Sequence, residues 1–263
     1  MVEVAHSFDD SAAYERLMGG WSRAVGAVFL HWLAAPEGAC WLDIGCGSGA
    51  FTELILDGCS PGAVSAIDPA EAQIAHASRQ PTAGRASFRV ADAQALPFLD
   101  ATFDVVASAL AINFIPDRRR AISEMRRVAR AGGLAAGYVW DFAAELSPTW
   151  PLRHALRQIG ADVPQVPGTA ESTLGALSAL FERAGLEEVA VRFIDVTVPY
   201  RDFDDFWQAQ TPSYSPATKM IAAMTESDRS RLIETVQAAL PVCPDGRIEY
   251  SARANAIKAR VPG

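Results

Sequence analysis

"CWLDIGCGSGAF", residues 40–51, decides how the rest of the chain is read. An apolar run ends in Asp43, and Gly45, Gly47 and Gly49 follow on alternate positions. The run reads as a short, fully buried strand and the residues after the glycines as a helix over 48–57. Glycines allow positive φ and let a ligand lie against the backbone. The helix N-terminus behind them offers free N–H groups to an anion. Gly45-Cys46-Gly47-Ser48-Gly49-Ala50 fits G-x-G-x-x-G/A, the dinucleotide fingerprint, and Asp68 stands 23 positions after Gly45, close to the ribose-binding acid of that fingerprint. Asp43 tips the balance the other way. A carboxylate beside the loop repels a pyrophosphate and suits a ligand that brings an ammonium or a sulfonium.

Outward from this stretch, strands and helices alternate. "WSRAVGAVFLHWLA", 21–34, puts Val25, Val28, Phe29 and Trp32 on one helical face. After the loop come a strand over 63–68 ending in Asp68, Pro69 at a first helical position, and a helix over 70–80. A third strand, "ASFRVADA", carries Asp92 at its C-terminal end, and a fourth starts at Phe103. A helix with Ile122, Met125 and Val128 inward stops at Gly132–Gly133, and "LAAGYVW" is a fifth strand. This rhythm predicts a parallel sheet with right-handed crossovers. Beyond Trp140 it changes: helices at 148–159 and 172–184, a long strand ending at Tyr200, helices at 203–210 and 217–240, and a last alternating strand from Gly246. Ligands of such sheets bind beyond the C-terminal strand ends, where Asp43, Asp68 and Asp92 all fall.

Five stretches in order resemble the class I S-adenosylmethionine-dependent methyltransferases, in particular their small-molecule, ubiquinone- and menaquinone-type branch. "LDIGCGSGAFT" is similar to the first motif of that family, "AIDPAEAQIAHA" to the second and "VADAQALPF" to the third. "FDVVASALAINFIPD" and "RRVARAGGLAAGYVW" are similar to the fourth and fifth. "YERLMGGWS" resembles the family's lead-in, with Gly20 in place of a common arginine. The resemblance covers about residues 10 to 142. It implies a Rossmann-like α/β fold: a doubly wound, mostly parallel seven-stranded sheet with an antiparallel last strand. It implies S-adenosylmethionine as cofactor and S-adenosylhomocysteine as product. Asp43 would face the methionine amine, and Gly45, Cys46 and Gly47 would pass close to the cofactor. Asp68, followed by Pro69, would accept from both ribose hydroxyls. Asp92 and the N–H of Ala93 would read adenine, and Ala109 and Leu110 would line the methionine end. Ala109 stands where many relatives carry a polar residue.

The remaining expectations are coarser. Half of the 263 residues are hydrophobic and the net charge is −8, which disfavours a nucleic-acid binder. No apolar run reaches ~18 residues, so no membrane insertion is expected and a cytoplasmic location is the default. Cys40, Cys46, Cys59 and Cys243 form no CxxC pair, and no metal is expected. The chain reads as one methyltransferase domain over 1–263: an N-terminal helical lid (1–38), a cofactor-binding core (39–142), and acceptor-site helices with the last two strands (143–263). Tyr14, Trp21 and Trp140 are aromatic candidates for the lid and substrate side, since aromatic faces attract a cation. Gly19–Gly20 reads as the flexible pair of that lid. His154 and Tyr14 are the candidate catalytic bases. A small organic acceptor is expected. An oxidoreductase of NAD type and a cofactor-binding relative with a different reaction are the alternatives, and the oligomeric state is left open.

Overall fold

The computed structural model describes residues 15–213 and 215–263; Tyr14 lies outside them. A π-helical turn, Glu15–Gly19, runs without a break into α1 (Gly20–Leu33). Then follow β1 (Cys40–Ile44), α2 (Ala50–Gly58), β2 (Ala63–Asp68), α3 (Glu71–Ala77), β3 (Ser87–Val90), β4 (Phe103–Ala109), α4 (Arg118–Val128) and β5 (Ala129–Trp140). After β5 come α5 (Trp150–Gln158), α6 (Leu174–Arg183), β6 (Glu187–Tyr200), α7 (Phe203–Gln210), α8 (Pro216–Ala222), α9 (Glu226–Ala239) and β7 (Ile248–Arg260).

The seven strands form one sheet in the order β3-β2-β1-β4-β5-β7-β6. β1 to β5 pair in parallel, and β7 runs antiparallel to both β5 and β6. This is the doubly wound architecture expected, with β7 inserted between β5 and β6. β1 lies centrally, and Trp41, Leu42, Asp43 and Ile44 are all buried, which explains why its apolar run does not alternate. One face of the sheet packs Trp41, Val105, Ala107 and Tyr138 against Val25 and Phe29 of α1 and Ile55 of α2. The other packs Leu42, Ile44, Val106 and Val139 against Ile122, Met125 and Val128 of α4 and Phe181 of α6.

Several expectations shift. In α1 the inward stripe is Trp21, Val25, Phe29 and Leu33; Val28 is 39% exposed. The stripe holds one residue per turn at i+4 spacing, and the i+3 position Val28 falls on its rim. Gly19 and Gly20 are helical rather than hinge-like, and a Cβ on Gly20 would sit 3.4 Å from Val198. Pro69 precedes α3, which starts at Glu71, because Asp68 Oδ1 accepts the Ala70 N–H at 2.9 Å and turns the chain there. α4 ends at Val128, four residues before Gly132, and the chain passes directly into β5. Gly132 (φ 73°) and Gly133 lie where β5 slips register against β4 between Phe103 and Val105. The expected helix 217–240 is two helices, α8 and α9, because Thr225 caps the second by accepting the Asp228 N–H.

Candidate active site

The parallel strands present their C-terminal ends along one edge: Ile44, Asp68, Val90, Ala109, Trp140 and Tyr200. β7, running the other way, brings its first residues, Ile248 to Tyr250, opposite Tyr200 to Val198 on the same edge. Of the candidate site residues, Asp68, Ala109 and Trp140 end their strands on this edge, and Asp43, Gly45, Cys46, Gly47, Pro69, Asp92, Ala93 and Leu110 lie within three residues of such an end.

The glycine loop leaves β1 and is held by β2, whose Ile67 carbonyl accepts the N–H groups of Gly45 (2.8 Å) and Cys46 (2.9 Å). Gly45, Gly47 and Gly49 have φ of 74°, 53° and 94°, the left-handed region that only glycine enters cheaply. At Gly45 a Cβ would also lie 2.4 Å from the Ala111 Cβ, so the loop and the turn after β4 are in close approach. Asp68 closes the loop from beneath: its Oδ2 accepts the Gly47 N–H at 2.9 Å while Oδ1 takes the Ala70 N–H. Each carboxylate oxygen keeps a further lone pair for a ligand. Burial raises the Asp68 carboxyl above its ordinary value, and the two backbone donors pull it back.

Asp43 is fully buried on the central strand. Its Oδ2 accepts from Thr52 Oγ1 in the first turn of α2 at 2.7 Å, and its Oδ1 has no hydrogen-bond partner among the described residues. Burial, opposed by the Thr52 bond and reinforced by the Asp68 charge, pushes the Asp43 carboxyl up to about 7. Cys46 is buried against Ala66, Ile74 and Phe88. Burial first, then Asp43 and Asp68, holds it as a thiol far above the usual range. It is a packing residue rather than a nucleophile. Thr52 and Ala111 were not anticipated, although Thr52 stands only nine positions after its partner.

Asp92 lies two residues beyond β3 and is exposed. Its Oδ1 accepts from the Gln94 N–H at 2.8 Å and both its oxygens from Gln94 Nε2 at 3.0 Å, while Ala93 beside it is buried. Ala109 ends β4, and Leu110 follows with φ 60°, donating its N–H to Tyr138 O at 2.8 Å. A left-handed non-glycine residue is a strained position, of the kind found at functional edges.

Farther along the edge the character changes to aromatic. Trp21 is buried and its indole N–H donates to Tyr200 OH at 3.0 Å. Its ring meets Trp140 edge-on at 6.4 Å and Tyr250 at 4.9 Å. Tyr250 donates to Pro148 O at 2.6 Å, and Gln210 Nε2 donates to both Tyr250 OH and Pro148 O. Trp140 is buried at the end of β5 with no hydrogen-bond partner for its indole N–H among the described residues. His154 is exposed on α5, 2.9 Å from Gln158 Nε2, and its ring meets that of Trp150 edge-on at 6.5 Å.

With this geometry in hand the comparisons are decisive. A methyltransferase-domain family matches residues 42–137, the span from β1 to β5. A malonyl-[acyl-carrier protein] O-methyltransferase of Enterobacter lignolyticus is 31% identical over 195 residues, covering 73% of this chain and 74% of its own length. The chain belongs to the class I S-adenosylmethionine-dependent methyltransferases. A ubiquinone/menaquinone biosynthesis C-methyltransferase of Paracoccus denitrificans is also similar to this methyltransferase, at 31% identity over 121 residues, 44% of this chain and 48% of the relative. Among solved structures, a Haemonchus contortus phosphoethanolamine N-methyltransferase 2 in complex with S-adenosyl-L-methionine has the same fold. Its TM-score is 0.62 at 18% identity, over 100% of this chain and 61% of the other. Family membership decides between the two readings of the glycine loop in favour of S-adenosylmethionine. Among the described residues, no cluster of three or more His, Cys, Asp or Glu could hold a metal ion, and no helix is long and apolar enough to cross a membrane.

Proposed function

We propose that this methyltransferase acts on a small organic acceptor, which meets the cofactor at the junction of the glycine loop and the aromatic edge. The single observation that carries the cofactor side is Asp43: a buried carboxylate with one oxygen unpartnered lacks a cation, and the cofactor's ammonium meets that need. The cradle fits as well, since Gly45 leaves no room for a side chain against Ala111. When bound, S-adenosylmethionine supplies a methyl group already activated by its sulfonium for in-line displacement. The chain's own residues hold and orient. Asp43 takes the ammonium, with Thr52 fixing its other oxygen. Gly45, Cys46 and Gly47 offer a backbone surface. Asp68, beside Pro69, accepts the ribose hydroxyls with the lone pairs left over from Gly47 and Ala70. Asp92 and Ala93 take the adenine, and Ala109 and Leu110 line the methionine end.

Such alignment, with water excluded, is worth up to ~7–11 kcal/mol in well-oriented reactions. A base is required only where the acceptor atom is protonated at attack; His154 and Tyr14 are the candidates from sequence, and the exposure of His154 weakens its case. The acceptor class is supported by relatives whose names include a 27-O-demethylrifamycin SV methyltransferase of Amycolatopsis mediterranei, 30% identical over 70% of this chain and 63% of that one. We further read the chain as one domain, with 39–142 holding the cofactor, 143–263 forming the acceptor side and the described part of the N-terminal segment, 15–38, covering the site; residues 1–14 of that segment lie outside the described residues. A cytoplasmic location is supported by four free cysteines.

The test is titration calorimetry with S-adenosylmethionine, S-adenosylhomocysteine and NAD, followed by a homocysteine-release screen over acceptors. Binding of the first two but not of NAD is expected. Tight NAD binding without a response to either sulfur compound overturns the cofactor assignment. Tight S-adenosylmethionine binding with no turnover on any small acceptor favours the relative that holds the cofactor for a different reaction.

A further inference from the structure

Beside the aromatic edge, just past the end of β5, lies a cavity of about 110 Å³. Phe142, Ser147, Trp150, Arg153, Gln165 and Thr169 line it. Its place in the fold ties it to the cofactor end. Phe142 is two residues beyond β5, and the Trp150 ring meets Tyr250 of the aromatic cluster at 6.2 Å. The opposite wall, 165–169, is pinned by Asn113 Nδ2, which donates to Pro167 O at 3.1 Å. Asn113 lies two residues after Ala111, the residue in close approach to Gly45.

Two arginines reach this cavity, and they differ. Arg157 is spent in an ion pair with Glu145, itself on the wall. Arg153 is half-buried and donates one N–H to Pro164 O at 2.6 Å. Among the described residues no carboxylate lies within salt-bridge distance of it. Burial is the one influence on its guanidinium, and it lowers the group from its ordinary value with no acid to offset it. A guanidinium has five donors in a planar fork, and withdrawing it from water without a counter-charge is unfavourable. The fork matches a carboxylate or a phosphate in two-point contact.

We propose that Arg153 is the specificity-determining residue of the acceptor site and that the acceptor carries an oxyanion, a carboxylate or a phosphate, seated in this cavity. The apolar part of the acceptor lies against Phe142 and Trp150. This rests on the reading of the chain as a methyltransferase of small acceptors.

The experiment uses the full chain saturated with S-adenosylhomocysteine at constant ionic strength. Three probes are titrated and followed by thermal shift and calorimetry: succinate, inorganic phosphate and neutral succinamide. One of the two anions is expected to bind and raise the melting temperature, with succinamide inert; which anion does so separates a carboxylate acceptor from a phosphate. Arg153→Met is expected to weaken that anion at least tenfold and Arg153→Lys less, while affinity for S-adenosylhomocysteine stays unchanged. Equal anion binding by wild type and Arg153→Met, or binding of neither anion to the cofactor-loaded wild type, overturns the proposal. Loss of S-adenosylhomocysteine binding by wild type with anion binding intact instead removes the cofactor reading and leaves the Arg153 site standing. Should Arg153→Met fail to fold, phenylglyoxal labelling of wild type gives the same answer. The bound anion slows modification of Arg153 several-fold and not that of exposed Arg201, and absence of protection overturns the site.

Discussion

On the cofactor side of the sheet edge, the carboxylates are held by backbone and neighbours close in sequence. Asp68 braces Ala70 two residues on and Gly47 across one crossover, Asp92 is tied to Gln94, and Thr52 reaches Asp43 over nine residues. On the aromatic side the ties span the chain: Trp21 to Tyr200 across 179 positions, Tyr250 to Pro148 across 102 and Gln210 to Pro148 across 62. The first side is a backbone cradle in which the buried Asp43 keeps one oxygen without a partner among the described residues. The second is a composite wall whose shape depends on segments that meet only in the finished fold. Substitutions should therefore split cleanly, cradle changes altering cofactor affinity and wall changes altering the acceptor alone.

The largest expected effect is at Asp43. Its carboxyl is raised from an ordinary 3.8 to about 7, so the folded chain holds its proton more tightly than the unfolded one. The associated stability is complete below about pH 4 and is lost as pH rises through about 7. At about 1.36 kcal/mol for each pH unit between those values, the cofactor-free protein forgoes roughly 4 kcal/mol above pH 7. Asp43→Asn should recover much of this at pH 8 and lose cofactor affinity at the same time, a pairing of gain and loss characteristic of binding residues. Denaturant unfolding at pH 5 and pH 8, with calorimetry of S-adenosylmethionine, reads both. A destabilised Asp43→Asn that binds normally breaks the picture of an unmet positive charge.

Asp68→Ala comes next. It frees two backbone donors and removes the acceptor proposed for two ribose hydroxyls; with bonds to a charged group at about 1.5–3 kcal/mol each, about 3 kcal/mol of affinity, a hundredfold or more, should go. Wild-type binding by a folded Asp68→Ala would show that its role is only to brace the loop. Gly45→Ala is smaller. Positive φ and the Ala111 contact should cost about 2 kcal/mol of stability, together with weakened S-adenosylhomocysteine binding measured by thermal shift. Tyr200→Phe is the smallest: loss of the Trp21 hydrogen bond should cost about 1 kcal/mol. Its S-adenosylhomocysteine affinity should equal that of wild type. A changed cofactor affinity in Tyr200→Phe would mean that the two sides are not separable.

The same division explains what could be read from the residues alone. The cradle is local, so β1, the glycines and β2 were visible as a run, a turn and a run, and β2 spans 63–68 as expected. The parallel pairing of the first five strands followed from their alternation with helices; the strand order, with β7 between β5 and β6, did not. Less legible were features that depend on a distant partner. Val28 looks as apolar as Val25, and only the position of α1 over the sheet turns one outward. Gly132–Gly133 carries a stop signal, but β4 recruits the chain into β5 before the helix reaches it. Pro69 looks like a helix start, but the Asp68 side chain turns the backbone first. Tyr200, Tyr250 and Gln210 carried no local signal that could have joined them to Trp21 or Trp140. Arg153 sits in an ordinary amphipathic pattern, and its lack of an acid partner is a property of the packed loops around it.

The placement of β7 between β5 and β6 has a consequence for the order in which the molecule can be built. β2 to β5 each find a sheet neighbour among strands already synthesised, so the glycine-loop cradle can close once residue 140 has left the ribosome. β6 cannot, because its sheet partner is made after it. It must wait for residues up to Arg260, about 120 positions after Trp140. At roughly 5–20 residues per second the nascent chain spends on the order of ten seconds with a finished cradle, an uncovered β5 edge and an unmade aromatic wall. A translational pause placed after β5 would lengthen that interval and the exposure of the β5 edge to other nascent chains.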